Sequence, residues 1–193
     1  MIDNPINRFL SKFENLIWGL ALIIGTCYII LVPPFQIPDS PNHFFRTYQL
    51  ATGDLSPMQE NNSVGGFVPK SFHTFQETFT PYRYNPYHKM EKSVLKETKN
   101  LELNESEKVF MHFPNTAVYS PVSYIPQVIA MKIGLWLQLG PYHIFYLVKI
   151  ISFLFWILMM RIVFHYLPIK KKLIALLLFL PMSLFINSSF SAD

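Results

Sequence analysis

Charge and cysteine are what this chain has least of. Only 15% of its 193 residues are charged, against roughly 25% in an average soluble domain. The deficit is concentrated in three long apolar runs, while the middle of the chain has an ordinary polar composition. A chain of this length that spends so much of itself on apolar runs has little left for a large aqueous core. The single cysteine, Cys27, excludes a disulfide framework and a cysteine-based metal site within one chain. It lies inside the first apolar run and reads as a small hydrophobe. The net charge of +4 comes from basic residues scattered among acidic ones, which excludes the basic stripe of a nucleic-acid-binding face. A phosphate-binding glycine loop, a His-Glu-x-x-His helix and a nucleophile elbow are all missing, so intracellular nucleotide chemistry has no obvious home. There is no internal repeat.

What is present is hydrocarbon of membrane-crossing length. Leu16 to Val32 gives 17 residues without a charge, about 26 Å as a helix. Arg8 and Lys12 precede it and Pro33-Pro34 stops it. It is longer than a signal-peptide core and no small-x-small site follows, so it is read as an uncleaved span with a cytoplasmic N-terminus. Tyr142 to Tyr166 is the second run, with its uncharged heart at Ile150 to Met160. Lys170, Lys171 and Lys172 follow it, and Leu173 to Ile186 is the third run. A short basic loop between two spans stays cytoplasmic. Pro121 to Leu139 is also long enough to span, but crossing there would put the lysines outside. Its mixture of Lys132, Ser123, Tyr124, Gln127 and Gln138 with apolar residues suits a helix lying in the interface.

The predicted fold class is therefore mainly α, an integral membrane protein with three transmembrane helices, two interfacial amphipathic helices and a large extracytoplasmic loop. Residues 1–15 are cytoplasmic and 16–34 form the first span. The outer loop runs over 35–141 and holds the interfacial helices 41–52 and 121–139. The second span is 142–167, the basic cytoplasmic loop 168–172 and the third span 173–190. Residues 191–193 begin a second outer loop. The expected location is the plasma membrane, crossed several times.

Within the outer loop, Ser40 as N-cap, Pro41 at the first helical position and Gly53 as a stop predict a short helix on the outer leaflet, near Pro41 to Thr52. It would put Phe44, Tyr48 and Ala51 on one face and His43, Arg46 and Leu50 near another. Leu55 to Glu77 shows no clear period. Phe79 to His88 is aromatic and proline-rich. Glu91 to Lys108 reads as a solvated helix or a mobile loop, and Val109 to Phe113 as a short strand. Tyr119 and Tyr124 suit an interfacial aromatic belt.

The polar groups that can carry chemistry stand at the outer ends of the spans. Asp39 and Asp193, brought together there, would hold a divalent cation or divide into a base and a metal ligand. Alternatively, Asp39 helps cap a helix and Asp193 is a frayed end. Lys149, about two turns into the second span, either meets a lipid phosphate or carboxylate or snorkels to the outer interface. Arg161 reads as a snorkelling anchor. His43 and Arg46, one turn apart, can face a phosphate. Asn187, Ser188, Ser189 and Ser191 either line a cavity or mark an exit into water.

Three strings resemble a known family. They are Pro38-Asp-Ser-Pro-Asn-His-Phe-Phe-Arg-Thr-Tyr-Gln-Leu50, Tyr119-Ser-Pro-Val-Ser-Tyr-Ile-Pro-Gln127, and Pro181-Met182 followed by Ser189-Phe-Ser-Ala-Asp193. Their order and spacing resemble the domain-of-unknown-function 2142 family of bacterial membrane proteins, over essentially the whole chain. That family in turn resembles membrane glycosyltransferases of the GT-C type. The resemblance implies transfer of a sugar from a polyprenyl-phosphate lipid to a cell-surface acceptor at the outer face. It also implies catalytic acids at Asp39 and Asp193, with Mg or Mn as a divalent metal between them. His43, Arg46 and Lys149 would meet the substrate phosphate. Membrane lipid is the expected partner and nucleic acid is not. Two departures stand out. Ser40 follows Asp39 where the family tends to show Asp-Glu, and GT-C enzymes usually have eight or more spans. The chain thus reads as the N-terminal portion of a larger transferase. The other readings are a non-enzymatic three-span protein whose outer loop binds a glycan or partner, and an inactive fragment.

Overall fold

The computed structural model describes residues 5–60, 62–85, 87–166 and 171–192. Side chains are described from Glu14 onward, Tyr84 excepted. Asp193 and Lys170 lie outside the described residues, as do the side chains of Arg8 and Lys12.

Two helices frame the molecule. α1 runs over Pro5–Leu31 and α7 over Pro141–Tyr166. Among the described residues, these are the helices long and apolar enough to cross a membrane, at Glu14–Leu31 and Pro141–Tyr166. They run antiparallel: Trp18 meets Phe164 edge to face at 5.1 Å, and at the other end Lys149 reaches the carbonyl of Ile29. Gly25 lets them approach between those points, because a Cβ there would enter the ring of Phe153. Most of both spans faces outward, with Ile23, Ile30, Leu154 and Leu158 among the exposed apolar side chains. The core helix of a soluble protein would instead be mostly covered.

The third apolar run is not one helix. It forms α8, Lys171–Leu178, and α9, Pro181–Asn187. Proline has no N–H to donate and its ring clashes with the carbonyl four residues back. Here that carbonyl, on Leu177, accepts instead from the Ser183 hydroxyl at 3.1 Å. The broken pair runs alongside α1. Lys171 is ion-paired with Glu14 at 2.6 Å, and Phe185 meets Tyr28 at 5.7 Å. The beginnings of the first and third apolar runs therefore share one end of the molecule.

The 35–141 segment packs as an ordered α+β unit over the other end. Its centre is α2, Ser40–Ala51, in which all residues except Asn42 are buried. The expectation of a helix on the outer leaflet gives way here. Aromatic side chains project from both faces of α2, and the segments after it close over them. β1 (Met58–Glu60), β2 (Ser63–Pro69) and β3 (Lys108–His112) form an antiparallel sheet in the order β1-β2-β3. Its register pairs Met58 with Gly65 and Phe67 with Phe110. Glycine is required at Gly65, where a Cβ would strike the Met111 carbonyl. α3, Lys70–Tyr84, puts Phe72, Phe75 and Phe79 on one buried face at helical spacing. α4, Lys92–Asn100, occupies the charged stretch and is largely exposed.

Phe35, Phe44, Phe75, Phe145 and Phe190 join this unit to the top of α7 and to the segment after α9. Phe35 lies 4.8 Å from Phe145 and 5.1 Å from Phe75. Each buried ring contributes roughly 2–3 kcal/mol, which holds Phe35 in its left-handed backbone conformation, φ 62°.

α5, Pro114–Ala117, and a 3₁₀ turn, Pro121–Tyr124, lead into α6, Ile125–Trp136. α6 packs Ala130, Met131 and Gly134 inward and exposes Ile125, Ile129, Ile133 and Trp136, and the 3₁₀ turn before it exposes Val122. That outward apolar stripe follows helical spacing from the 3₁₀ turn to Trp136.

Candidate functional site

The turn from α1 into α2 places Asp39 at the N-cap of α2, one residue earlier than the expected Ser40. Its backbone is left-handed, φ 60°, a conformation that aspartate tolerates better than most residues. The Asp39 side chain does not cap the helix. Instead Oδ1 accepts from Asn42 Nδ2 at 3.3 Å and from Asn115 Nδ2 at 3.1 Å. A carboxylate has about four acceptor positions, so the half-buried Asp39 keeps capacity for a hydroxyl or a cation. Thr116 ties the same two segments together, its hydroxyl donating to the Asn42 carbonyl at 3.1 Å.

One residue further along α2, the buried His43 shares a hydrogen bond of 2.8 Å between its Nδ1 and the Tyr124 hydroxyl. Tyr119 meets the same imidazole edge to face at 5.8 Å. Tyr124 is fully buried, which corrects its expected place in an interfacial belt. The three strings singled out in the sequence thus converge. The first meets the second through His43 and Tyr124. The second meets the third through Gln127, whose Nε2 donates to the Ser191 carbonyl at 2.9 Å. The third meets the first through Phe190, 5.4 Å from Phe44.

Arg46 is on α2 but turned elsewhere. It is buried, donating to Gln49 Oε1 at 2.6 Å and to the Leu55 carbonyl at 2.9 Å. Burial holds its pKa below the ordinary arginine value, while the Tyr124 phenol pulls the other way. It clamps the chain leaving α2. That exit closes with the expected stop at Gly53, φ 98°: Gly53 N–H bonds the Leu50 carbonyl and Asp54 N–H the Gln49 carbonyl, a Schellman ending. Further along α2, burial and then the Glu105 carboxylate push the Tyr48 phenol well above its ordinary pKa.

Lys149 is buried rather than snorkelled, at 2% exposure. Its Nζ donates to the Ile29 carbonyl at 3.4 Å and lies 5.4 Å from the Tyr146 ring. It shares a small gap with Ser40, directly under the Asp39 turn. Lys149 and Ser40, the residue after Asp39, therefore border one gap, while Arg46 holds the α2 exit. Asp193 lies outside the described residues. No group of three or more His, Cys, Asp or Glu is gathered among the described residues.

Sequence reasoning missed Asn42, Asn115 and the burial of Tyr124. Asn42 lies in the first string, three residues after Asp39. Nothing local marks Asn115, whose role comes from a contact across 76 residues.

Residues 22–193 match the model of a family described as "Predicted membrane protein (DUF2142)". No curated protein and no solved structure matches the chain.

Proposed function

The chain belongs to the DUF2142 family of predicted membrane proteins, and on that premise we propose that it is a glycosyltransferase-like membrane protein taking its sugar from a polyprenyl-phosphate carrier at the outer face. The observation that carries this reading is the convergence of the three strings around Asp39, His43, Tyr124 and Ser191 at one end of the α1–α7 pair. A site for a lipid-borne donor and a water-borne acceptor belongs at such a boundary.

In this reading the chain lies in the plasma membrane with its N-terminus and Lys170–Lys172 inside. α1, α7 and the broken α8–α9 pair cross, and α6 rests its apolar stripe in the outer leaflet. Helix breaks within a membrane are tolerated where the freed carbonyl is satisfied, as Leu177 is by Ser183. Asp39 positions the acceptor hydroxyl and takes its proton, with Asn42 and Asn115 holding the carboxylate in place. The buried His43–Tyr124 pair fixes the turn that carries it. Lys149 suits the donor phosphate better than Arg46 does, because its ammonium has one long carbonyl bond while Arg46 is committed to Gln49 and Leu55. A phosphate reaches Lys149 only once the gap beside Ser40 widens. A divalent cation, Mg or Mn, would stabilise charge on the leaving phosphate when bound. Asp39 and Asp193 are its candidate ligands.

The test is sugar transfer from a polyprenyl-phosphate sugar by membranes carrying the protein. Asp39→Asn is expected to lower transfer at least about a hundredfold, the scale of removing a positioned base. Unchanged transfer in this variant would overturn the catalytic role, and no transfer by the longest form that carries this chain would overturn the enzyme reading.

One observation favours a second reading. Asp39 Oδ1 already binds two amides, as a structural tether would. The outer unit would then be a binding module for a glycan or partner, and Asp39→Asn would leave its function intact.

A further inference from the structure

An open groove of about 580 Å³ lies between the start of the α1 span and the last turns of α7. Glu14 and Asn15 form its α1 side. Leu158, Arg161, Ile162, His165 and Tyr166 form its α7 side. It lies beside the Trp18–Phe164 contact, at the end of the helix pair away from Asp39.

Arg161 is the group in this groove that lacks a counter-charge. Among the described residues it makes no hydrogen bond and no ion pair. The acid beside it is already engaged, because Glu14 is paired with Lys171 at 2.6 Å. That pair adds no net charge, and the next residue, Lys172, is a further exposed cation. Depth makes the unpaired charge matter. The 26 residues of α7 measure about 39 Å, against a hydrocarbon thickness of about 30 Å. Arg161 stands five residues before the last residue of α7, about 7.5 Å along the axis. It is therefore near the level where acyl chains give way to headgroups, and a cation at such depth is normally paired.

The rest of the groove is graded in the same direction. Leu158, one turn further into the membrane span, and Ile162 are exposed and apolar. His165 follows Arg161 by one turn on the same flank. Tyr166 is exposed at the helix end and meets the His165 ring edge to face at 5.2 Å.

We propose that this groove binds an anionic phospholipid of the phosphatidylglycerol type. Arg161 donates to the phosphate oxygens through its planar fork. His165 and Asn15 supply further N–H donors to the phosphate and glycerol oxygens, and an acyl chain lies along Leu158 and Ile162. Basic pockets between spanning helices suit such headgroups. A zwitterionic lipid suits the groove less, because Lys171 already holds Glu14, the one acid of its described lining. Free phosphate carries the same anion but leaves the apolar half of the groove uncovered. The proposal rests on α1 and α7 crossing the bilayer, as read above, and not on sugar transfer.

The test is photolabelling of the full chain in phosphatidylcholine nanodiscs, mapped by peptide mass spectrometry. The probe is phosphatidylglycerol with a diazirine near the glycerol end of one acyl chain. Both leaflets carry it, so the outcome does not depend on which way the chain is inserted. Labelling is expected to concentrate on residues 158–166 and 14–18. It is expected to fall about tenfold in Arg161→Gln, as loss of a charge-assisted hydrogen bond implies. A phosphatidylcholine probe with the same diazirine is expected to label these residues about tenfold less. Unlabelled phosphatidylglycerol is expected to compete, and inorganic phosphate is not. Equal labelling by the phosphatidylcholine probe, unchanged labelling in Arg161→Gln, displacement by inorganic phosphate, or labelling spread evenly over exposed α7 residues such as Leu154 and Phe155 would each overturn the proposal. Should Arg161→Gln fail to accumulate, the comparison of the two probes in the unaltered protein decides alone. Binding is read without sugar transfer, so failure here and failure of the transferase reading are distinguishable.

Discussion

His43 Nδ1 and the Tyr124 hydroxyl lie 2.8 Å apart although 81 residues separate them in sequence. The bond pins the outermost turn of α2 to the segment that leads into α6. Removing the hydroxyl in Tyr124→Phe keeps the ring in the core and deletes one hydrogen bond of a buried imidazole. The expected loss is about 1–2 kcal/mol, seen as a lower unfolding midpoint in detergent. A midpoint unchanged within error would show that the bond holds nothing together.

Asp39 separates two physical roles by substitution. Asparagine tolerates the left-handed backbone and keeps an acceptor for Asn42 and Asn115, so Asp39→Asn should retain nearly all the stability. Alanine loses both amide bonds and adds backbone strain, so Asp39→Ala should cost about 2–3 kcal/mol. Denaturant midpoints of the two variants, measured side by side, check the ranking. Equal losses would mean that the charge itself stabilises the turn.

Tyr48 makes a pH prediction. Its phenol is raised by burial first and by Glu105 second, so the folded state holds this proton more tightly than the unfolded state does. The corresponding stability is fully present below the unfolded value of about 10 and falls as pH rises from there toward the folded value. The thermal midpoint of the protein should therefore drop more steeply above about pH 10 than that of Tyr48→Phe. Parallel curves for the two proteins would contradict the assignment.

Orientation is open to direct labelling. In a Cys27→Ser background, Tyr87→Cys lies on the exposed surface of the outer unit and Lys172→Cys at the opposite end, next to the Glu14–Lys171 pair. A membrane-impermeant maleimide applied to intact cells should modify position 87 and reach position 172 only after permeabilisation. The reverse pattern would invert the proposed topology.

Much of this architecture could be read along the chain because it depends on local rules. The α2 boundaries follow from the Pro41 start and the Gly53 stop, and the structure places them at Ser40 and Ala51. The helix read at 121–139 is the 3₁₀ turn with α6, and the strand read at 109–113 is β3, displaced by one residue. α3 and the β1–β2 pair were not legible. The Phe72, Phe75 and Phe79 spacing was available in the sequence, but it was hidden in a stretch whose flanks are irregular. Gly65 and Gly66 make sense only once Met111 and Gln49 lie beside them.

The amino-acid sequence by itself determined that hydrocarbon-length helices bracket a polar segment, because apolar length and charge placement act residue by residue. Only the tertiary structure decided what the polar segment is. It showed α2 buried at the centre of an ordered unit, Tyr124 inside with His43, Arg46 committed to the α2 exit, and the third apolar run broken at Pro181. Those outcomes turn on contacts between residues tens of positions apart. Which side of a helix is covered depends on what folds back over it, and no local pattern records that.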